Sequence, residues 1–235
     1  MPVSSSFAVI AAAGFWHRYA AWSLDALVVS TAVLLLAWSR VQAAWLALGV
    51  TAKATVSAAG SVLADAMMAG TQLPQLPGVL LADPRLGGAA ATLQSALWQL
   101  CWPLLLGYAV LAAPWHILGE CSRWRGSPGK RALGLAVIDV HGDSLSAARA
   151  TLRHVAALLS WLTFNLGHLM AAWTPTKRAL HDRVAGARVV ATRAGARLPG
   201  WARAWIALQA LALFALWAWL LLRYVAALEA GIPAF

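Results

Sequence analysis

Arg18, Asp25 and Asp182 are the residues of this chain whose types and positions point most directly to chemistry. Asp25 lies inside the first long apolar segment, Arg18 lies seven residues before it, and Asp182 sits in the run ALHDRVAG behind a later apolar segment. A charge at mid-bilayer costs about 2.5–3.5 kcal/mol on insertion scales, so such groups persist where they are paired, wetted or used. Two chemistries fit this set: binding of a cation or proton by a carboxylate, and ion pairing that ties segments together. On a helix, Arg18 and Asp25 fall within about 20° of one face and roughly 10 Å apart. Trp22 shares that face, within reach of a cation–π contact with Arg18. Arg18 by itself reads equally well as an interfacial anchor. Asp25 does not, because its short side chain cannot snorkel as far as Arg or Lys. It calls for a buried partner or a water-filled cleft.

The elements that must position these groups are set by composition. Of 235 residues, 61% are hydrophobic and 11% charged, against about 25% charged in ordinary soluble domains. Stretches of 34, 23 and 19 residues, after Arg85, Arg153 and Arg203, carry no Asp, Glu, Lys or Arg. Roughly 20 apolar helical residues cross a bilayer, so the chain is an integral membrane protein. Its expected fold is all-α: a helical bundle of three to four transmembrane helices with a small cytoplasmic β-hairpin-like element. Residues 15–38 read as the first span. Residues 39–70 read as a helix continuing out of the membrane, because Lys53 would sit near the middle of a second span at 41–64. A Pro- and Gly-rich loop, TQLPQLPGVLLADPRLGG, follows. Apolar helices are expected at 89–118, with Pro103 and Pro114 inside, at 150–173 and at 202–224. LGLAVIDV and ARVVAT are short, Val-rich runs suited to two strands.

Charge placement constrains the topology. Lys plus Arg number 3 in residues 39–97, 6 in 119–153 and 7 in 174–203. The positive-inside rule puts the last two loops on one side, the cytoplasm, where the two strands can pair. The intervening segment 154–173 then enters and returns, or lies along the interface; Asn165, Gly167 and His168 near its centre favour a break. The apolar start MPVSSSFAVIAAAGFW lacks the basic n-region of a signal peptide and reads as uncleaved.

Other motifs carry less. In TPTKRALHDRVAG, Thr174 or Thr176 is a candidate cap for a short helix running to about Val184, with Gly186 ending it. Taken alone, His181 and Asp182 there read as a surface helix beside Lys177, Arg178 and Arg183. GSPGKR at 126–131 looks like a phosphate-binding loop but lacks the spacing, with Arg131 in the hydroxyl position. The six His show no zinc spacing, and no metal or other cofactor is expected. Cys101 and Cys121 lie about 30 Å apart on a continuous helix, too far for a disulfide. No nucleophile stands beside a base, so no enzyme activity is expected. The net charge of +10 is read as basic loops facing anionic lipid headgroups, not nucleic acid.

Three stretches together resemble one family. AGFWHRYAAWSLDALVV resembles the opening helix of the RDD family of bacterial membrane proteins, named for one Arg and two Asp. SPGKRALGLAVIDVHGDSLSAARATLRH resembles its central segment, and TPTKRALHDRVAGARVV its closing one. The resemblance implies that the family's Arg is Arg18 and its two Asp are Asp25 and Asp182. Lys130 and Gly134 match the GKR-x-x-G pattern, and His181 and Gly186 the HD-x-x-AG pattern. It further implies an RDD-like membrane domain over 13–192, with 193–235 an additional C-terminal transmembrane helix. The protein is expected in the bacterial cytoplasmic (inner) membrane, multi-pass, with its N-terminus cytoplasmic. For some members cation/proton exchange has been proposed, which would make Asp25 the ion-binding group, Arg18 its tuner and Asp182 the cytoplasmic entrance. The competing expectation is a non-transporting scaffold or partner-binding protein, with Arg18–Asp182 a structural ion pair. Apolar helix faces with Ala and Gly would suit a homo-oligomer.

Overall fold

The structure is a computed structural model that describes residues 11–193, 195 and 197–231, with the side chains of 162 and 227–231 excepted. The opening residues weighed as a signal segment lie mostly outside the described residues. Helix α1 (Phe15–Leu36) starts directly after Gly14 and holds no Pro or Gly. Helix α2 (Trp38–Met68) follows across a single residue. A 3-10 turn (Leu73–Gln75) and α3 (Leu76–Ala82) lead into α4 (Pro84–Cys121), a 38-residue helix that runs through Pro103 and Pro114. Next come α5 (Pro128–Ala132), β1 (Leu135–Ile138), α6 (Ala147–Leu162), α7 (Leu166–Trp173), α8 (Leu180–Val184), β2 (Arg188–Ala191) and α9 (Gly200–Gly231).

Among the described residues, four helices are long and apolar enough to cross a membrane: α1, α2, α4 and α9. This corrects the expectation for 39–70. Lys53 does not keep α2 from qualifying, because a long side chain with one charge is outweighed by some thirty mostly apolar neighbours. The segment expected to be a Pro- and Gly-rich loop also differs. Pro74 and Pro77 sit at the starts of the 3-10 turn and α3, and Pro84 opens α4, positions where a missing N–H costs nothing.

The segment 154–173 breaks where the sequence placed a break. Helices α6 and α7 meet at 102°, and Phe164 and Asn165 between them both have positive φ, 50° and 63°. The two Val-rich runs pair as antiparallel strands, Leu135 opposite Ala191 through Ile138 opposite Arg188. They are joined by α6, α7 and α8, not by a tight turn. Ala12 adds an isolated bridge to Val190.

The chain divides into two compact units: residues 1–26 with 113–235, and residues 27–112. The first unit has its own core, in which Ala13, Ala20, Ala21, Leu135, Val137, Ala187 and Val189 are buried together with Ala202 of α9. Helix α9 is tied to α1 by polar contacts: Tyr19 donates to Gln209 Oε1 at 3.0 Å, and Trp205 Nε1 donates to Ser23 Oγ at 3.0 Å. In the second unit, Thr55 Oγ1 of α2 donates to the Ala89 carbonyl of α4 at 3.1 Å.

Candidate functional site

Among the described residues the buried charge lies in the first unit, on α1, the end of α4, α6 and α8, and at Asp139 just after β1; Lys130 of α5 is partly buried. Arg18 donates Nη1 to Asp182 Oδ2 at 2.5 Å, Nη2 to the Lys177 carbonyl at 2.5 Å and Nε to the Ala13 carbonyl at 3.1 Å. Arg153 of α6 donates Nε and Nη2 to Asp182 Oδ1 at 3.0 and 2.8 Å. Its third arm, Nη1, donates to Glu120 Oε1 near the end of α4. Lys130 Nζ of α5 donates to the same oxygen at 3.0 Å and to Ser127 Oγ at 3.3 Å. Ser127 in turn donates to Asp25 Oδ2 at 2.5 Å. Three cations and three carboxylates thus alternate along one string: Arg18, Asp182, Arg153, Glu120, Lys130 and, through Ser127, Asp25.

Burial makes this arrangement consequential. Asp25 is 1% exposed, Glu120 2% and Asp182 0%. Removing such ions from water costs several kcal/mol each, recovered only when partners and hydrogen bonds are complete. Here they are. Asp182 Oδ2 also accepts the Ala179 N–H at 3.1 Å, which fastens the start of α8. Burial by itself would push the Asp182 carboxyl up; the Arg153 charge, with Arg18 behind it, overrides burial and holds it well below the ordinary carboxylate range. For His181, burial and then the Arg153 charge hold the imidazole well below its ordinary value, so it is neutral beside Asp182.

Asp25 meets buried partners, one of the two surroundings expected for it. Its Oδ1 accepts from the Gly129 N–H at 2.8 Å and from Trp115 Nε1 at 2.9 Å, while Oδ2 takes the Ser127 hydroxyl. The GSPGKR run therefore does present a backbone N–H to an anion, and the anion is an internal carboxylate. Gly129 is required by close approach: a Cβ there would collide with the Ala21 carbonyl oxygen and stand 2.8 Å from Asp25 Cγ.

Each expected site residue can be placed. Arg18 and Asp182 are brought together. Asp25 joins the same string from its far end and is not paired with Arg18. Their shared helix face does not bring them into contact, because two helical turns separate them and Arg18 reaches toward α8. Trp22 is exposed and its ring lies against Tyr19, 6.1 Å between centroids, rather than over the Arg18 guanidinium. Lys130 is a full member of the string. His181 is buried, not on a surface helix. Gly186, at φ 63°, closes α8 in the left-handed conformation. Neither Thr174 nor Thr176 caps α8: Thr174 Oγ1 accepts the Arg178 N–H at 3.2 Å, holding the preceding turn. Arg178 then braces α8, donating Nε to the Ala187 carbonyl and Nη2 to the Asp182 carbonyl, each at 3.0 Å.

Sequence reasoning missed Glu120, Arg153, Ser127, Gly129 and Trp115. A signal existed for two of them: Glu120 and Arg153 are the charges that bound the longest charge-free stretches. In a basic loop, however, Arg153 is indistinguishable from a headgroup-facing arginine. The Ser127 and Lys130 side chains also stand at nucleophile-and-base spacing, but the hydroxyl is spent on Asp25 and the ammonium on Glu120.

Comparison with known proteins fits this picture. A stretch of 88 residues is 33% identical to the uncharacterized protein YxaI of Bacillus subtilis (strain 168), covering 37% of this chain and 58% of that protein. The chain thus matches a little over half the length of this curated relative. No solved structure matches the chain. The RDD family model matches residues 12–186, a span that holds all six members of the charge string, and the chain accordingly belongs to the RDD family.

Proposed function

We propose that the protein is a non-transporting membrane scaffold or partner-binding protein of the bacterial inner membrane, in which the Arg18–Asp182–Arg153–Glu120 clasp ties the first helix to the α6–α8 segment. The observation that carries this reading is the state of Asp25. A carboxylate that binds and releases a cation needs a free face, whereas Asp25 is enclosed and accepts three hydrogen bonds. Such a group is an anchor: it fastens α1 to the 127–130 turn. In this reading the N-terminus is cytoplasmic, the basic loops at 119–153 and 174–203 face anionic lipid headgroups, and the apolar faces of α2, α4 and α9 meet lipid or a second copy. No catalytic step and no cofactor enter it.

The second reading is cation/proton exchange. What favours it is the unbroken string of hydrogen-bonded charges from Asp25 to Asp182, which offers donors and acceptors without a gap. Everted membrane vesicles separate the two. Under the scaffold reading, proton-driven cation exchange in vesicles carrying the protein matches that of vesicles without it, and Asp25→Asn changes accumulation in the membrane but no flux. A flux present with the wild type and abolished by Asp25→Asn at equal protein level would overturn the scaffold reading. A direct test of the clasp is a double-mutant cycle with Arg18→Gln and Asp182→Asn, whose combined loss should be clearly smaller than the two separate losses together. A charge swap is a poorer test, because an arginine at 182 would face Arg153.

A further inference from the structure

Two histidine pairs flank Arg153, and the clasp uses neither. His116 and His154 lie on the Glu120 side with ring centroids 6.0 Å apart. His168 of α7 and His181 of α8 lie on the Asp182 side, 4.9 Å apart. The second pair is the more enclosed. Nδ1 of both rings is buried without a hydrogen-bond partner, and so is the Ser160 hydroxyl beside Gly167. Orphaned buried polar atoms are rare and costly, and several at one corner call for an occupant or a role. The break between α6 and α7, with its two left-handed residues, is what brings His168 back onto α8.

We propose that the His168–His181 pair is a buried proton-binding site whose occupation loosens the Asp182 clasp. This rests on the clasp reading above. A proton taken up by one imidazole supplies an N–H at the corner where both Nδ1 atoms and the Ser160 hydroxyl now lack a partner. The charged and titratable groups facing His181 are Asp182 on its own helix, Arg153 on α6 and Glu120 on α4, with His168 from α7; Arg18 of α1 reaches the same Asp182 carboxylate. The string already holds as many cations as carboxylates. An imidazolium whose Nε2 stands 3.4 Å from Asp182 Oδ1 is a fourth cation competing with Arg153 and Arg18 for one carboxylate.

The sign follows from linkage. His181 is held below its ordinary 6.5 in the closed state, so the opened segment binds more protons. The clasp is at full strength above about pH 6.5 and weakens as pH falls, by up to about tenfold in the opening equilibrium per pH unit. Asp182, held low, keeps its own contribution down to about pH 4, so the two windows are distinct.

The test is hydrogen exchange read by mass spectrometry on the full-length protein in phosphatidylcholine nanodiscs, corrected for the intrinsic pH dependence of exchange. Between about pH 7.5 and 5.5, protection across residues 174–186 should fall by up to about tenfold in the wild type. His181→Gln should abolish that fall and His168→Gln should shrink it. No fall in the wild type, or an equal fall in both variants, would overturn the proposal; should His181→Gln fail to fold, His168→Gln decides alone. Arg18→Gln judges the clasp separately: it should lower protection of the same segment at both pH values. Unchanged protection there sinks the clasp, whatever the histidines do.

Discussion

Arg153 and Arg85 each bridge two carboxylates, in different surroundings. Arg153 joins Glu120 to Asp182 with all three side chains nearly sealed from solvent. Arg85 joins Asp65, at 2.8 Å, to Asp83, at 2.9 Å, with its own side chain 51% exposed. The distances are alike; the surroundings are not. Around Arg85 water screens each charge and takes over when a partner leaves, so such pairs contribute little. Around Arg153 burial shuts solvent out, and each lost partner leaves a bare ion. The comparison teaches that the geometry of an ion pair says little about its importance until the state left behind by breaking it is considered.

The sharpest way to break the comparison is Arg153→Gln. Two buried carboxylates would lose their shared cation, at a cost of about 3–5 kcal/mol. The variant should fail to accumulate in the membrane or unfold at much lower denaturant in detergent. Acid should undo the same site. Because the folded state holds the Asp182 carboxyl below its ordinary 3.8, its contribution is present above that pH and is lost as pH falls further. Unfolding monitored by tryptophan fluorescence should show stability dropping below about pH 4 in the wild type, with a smaller drop in Asp182→Asn.

Asp25→Asn probes the other end of the string. It keeps one acceptor oxygen but removes the charge that three donors converge on, an expected loss of about 1.5–3 kcal/mol by equilibrium unfolding. Gly129→Ala should lose about 1–3 kcal/mol through the collision with the Ala21 carbonyl, and Gly129→Ser should be no better. Arg85→Ala comes last: the same unfolding experiment should not distinguish it from wild type. A large loss there would erase the contrast between the two arginines.

Much of the fold was legible in the residues. The membrane class followed from long charge-free stretches, the strands from Val-rich runs bounded by Gly and polar residues, and the break in 154–173 from Asn165, Gly167 and basic loops on either side. Helix α2 is long and apolar enough to span, a possibility set aside when one lysine was weighed above its length. The site was half legible. Arg18, Asp25 and Asp182 stood out because their surroundings are apolar. Glu120 and Arg153 did not, because a charge at the border of an apolar stretch looks the same whether it turns inward or toward a headgroup. Trp115 and Ser127 matter only through what they touch.

Sequence by itself determined that this chain enters a membrane, roughly where its long helices run, and which charges are out of place there. Those are properties of local composition, which transfer energies and helix periodicity read directly. Only the tertiary structure decided which carboxylate faces which cation. Arg18 could reach Asp25 or Asp182 with equal plausibility on paper, and the choice was made 164 residues away. The physical reason is that a buried ion takes whatever partners the packing brings within hydrogen-bond reach, and that set is assembled from five separate elements.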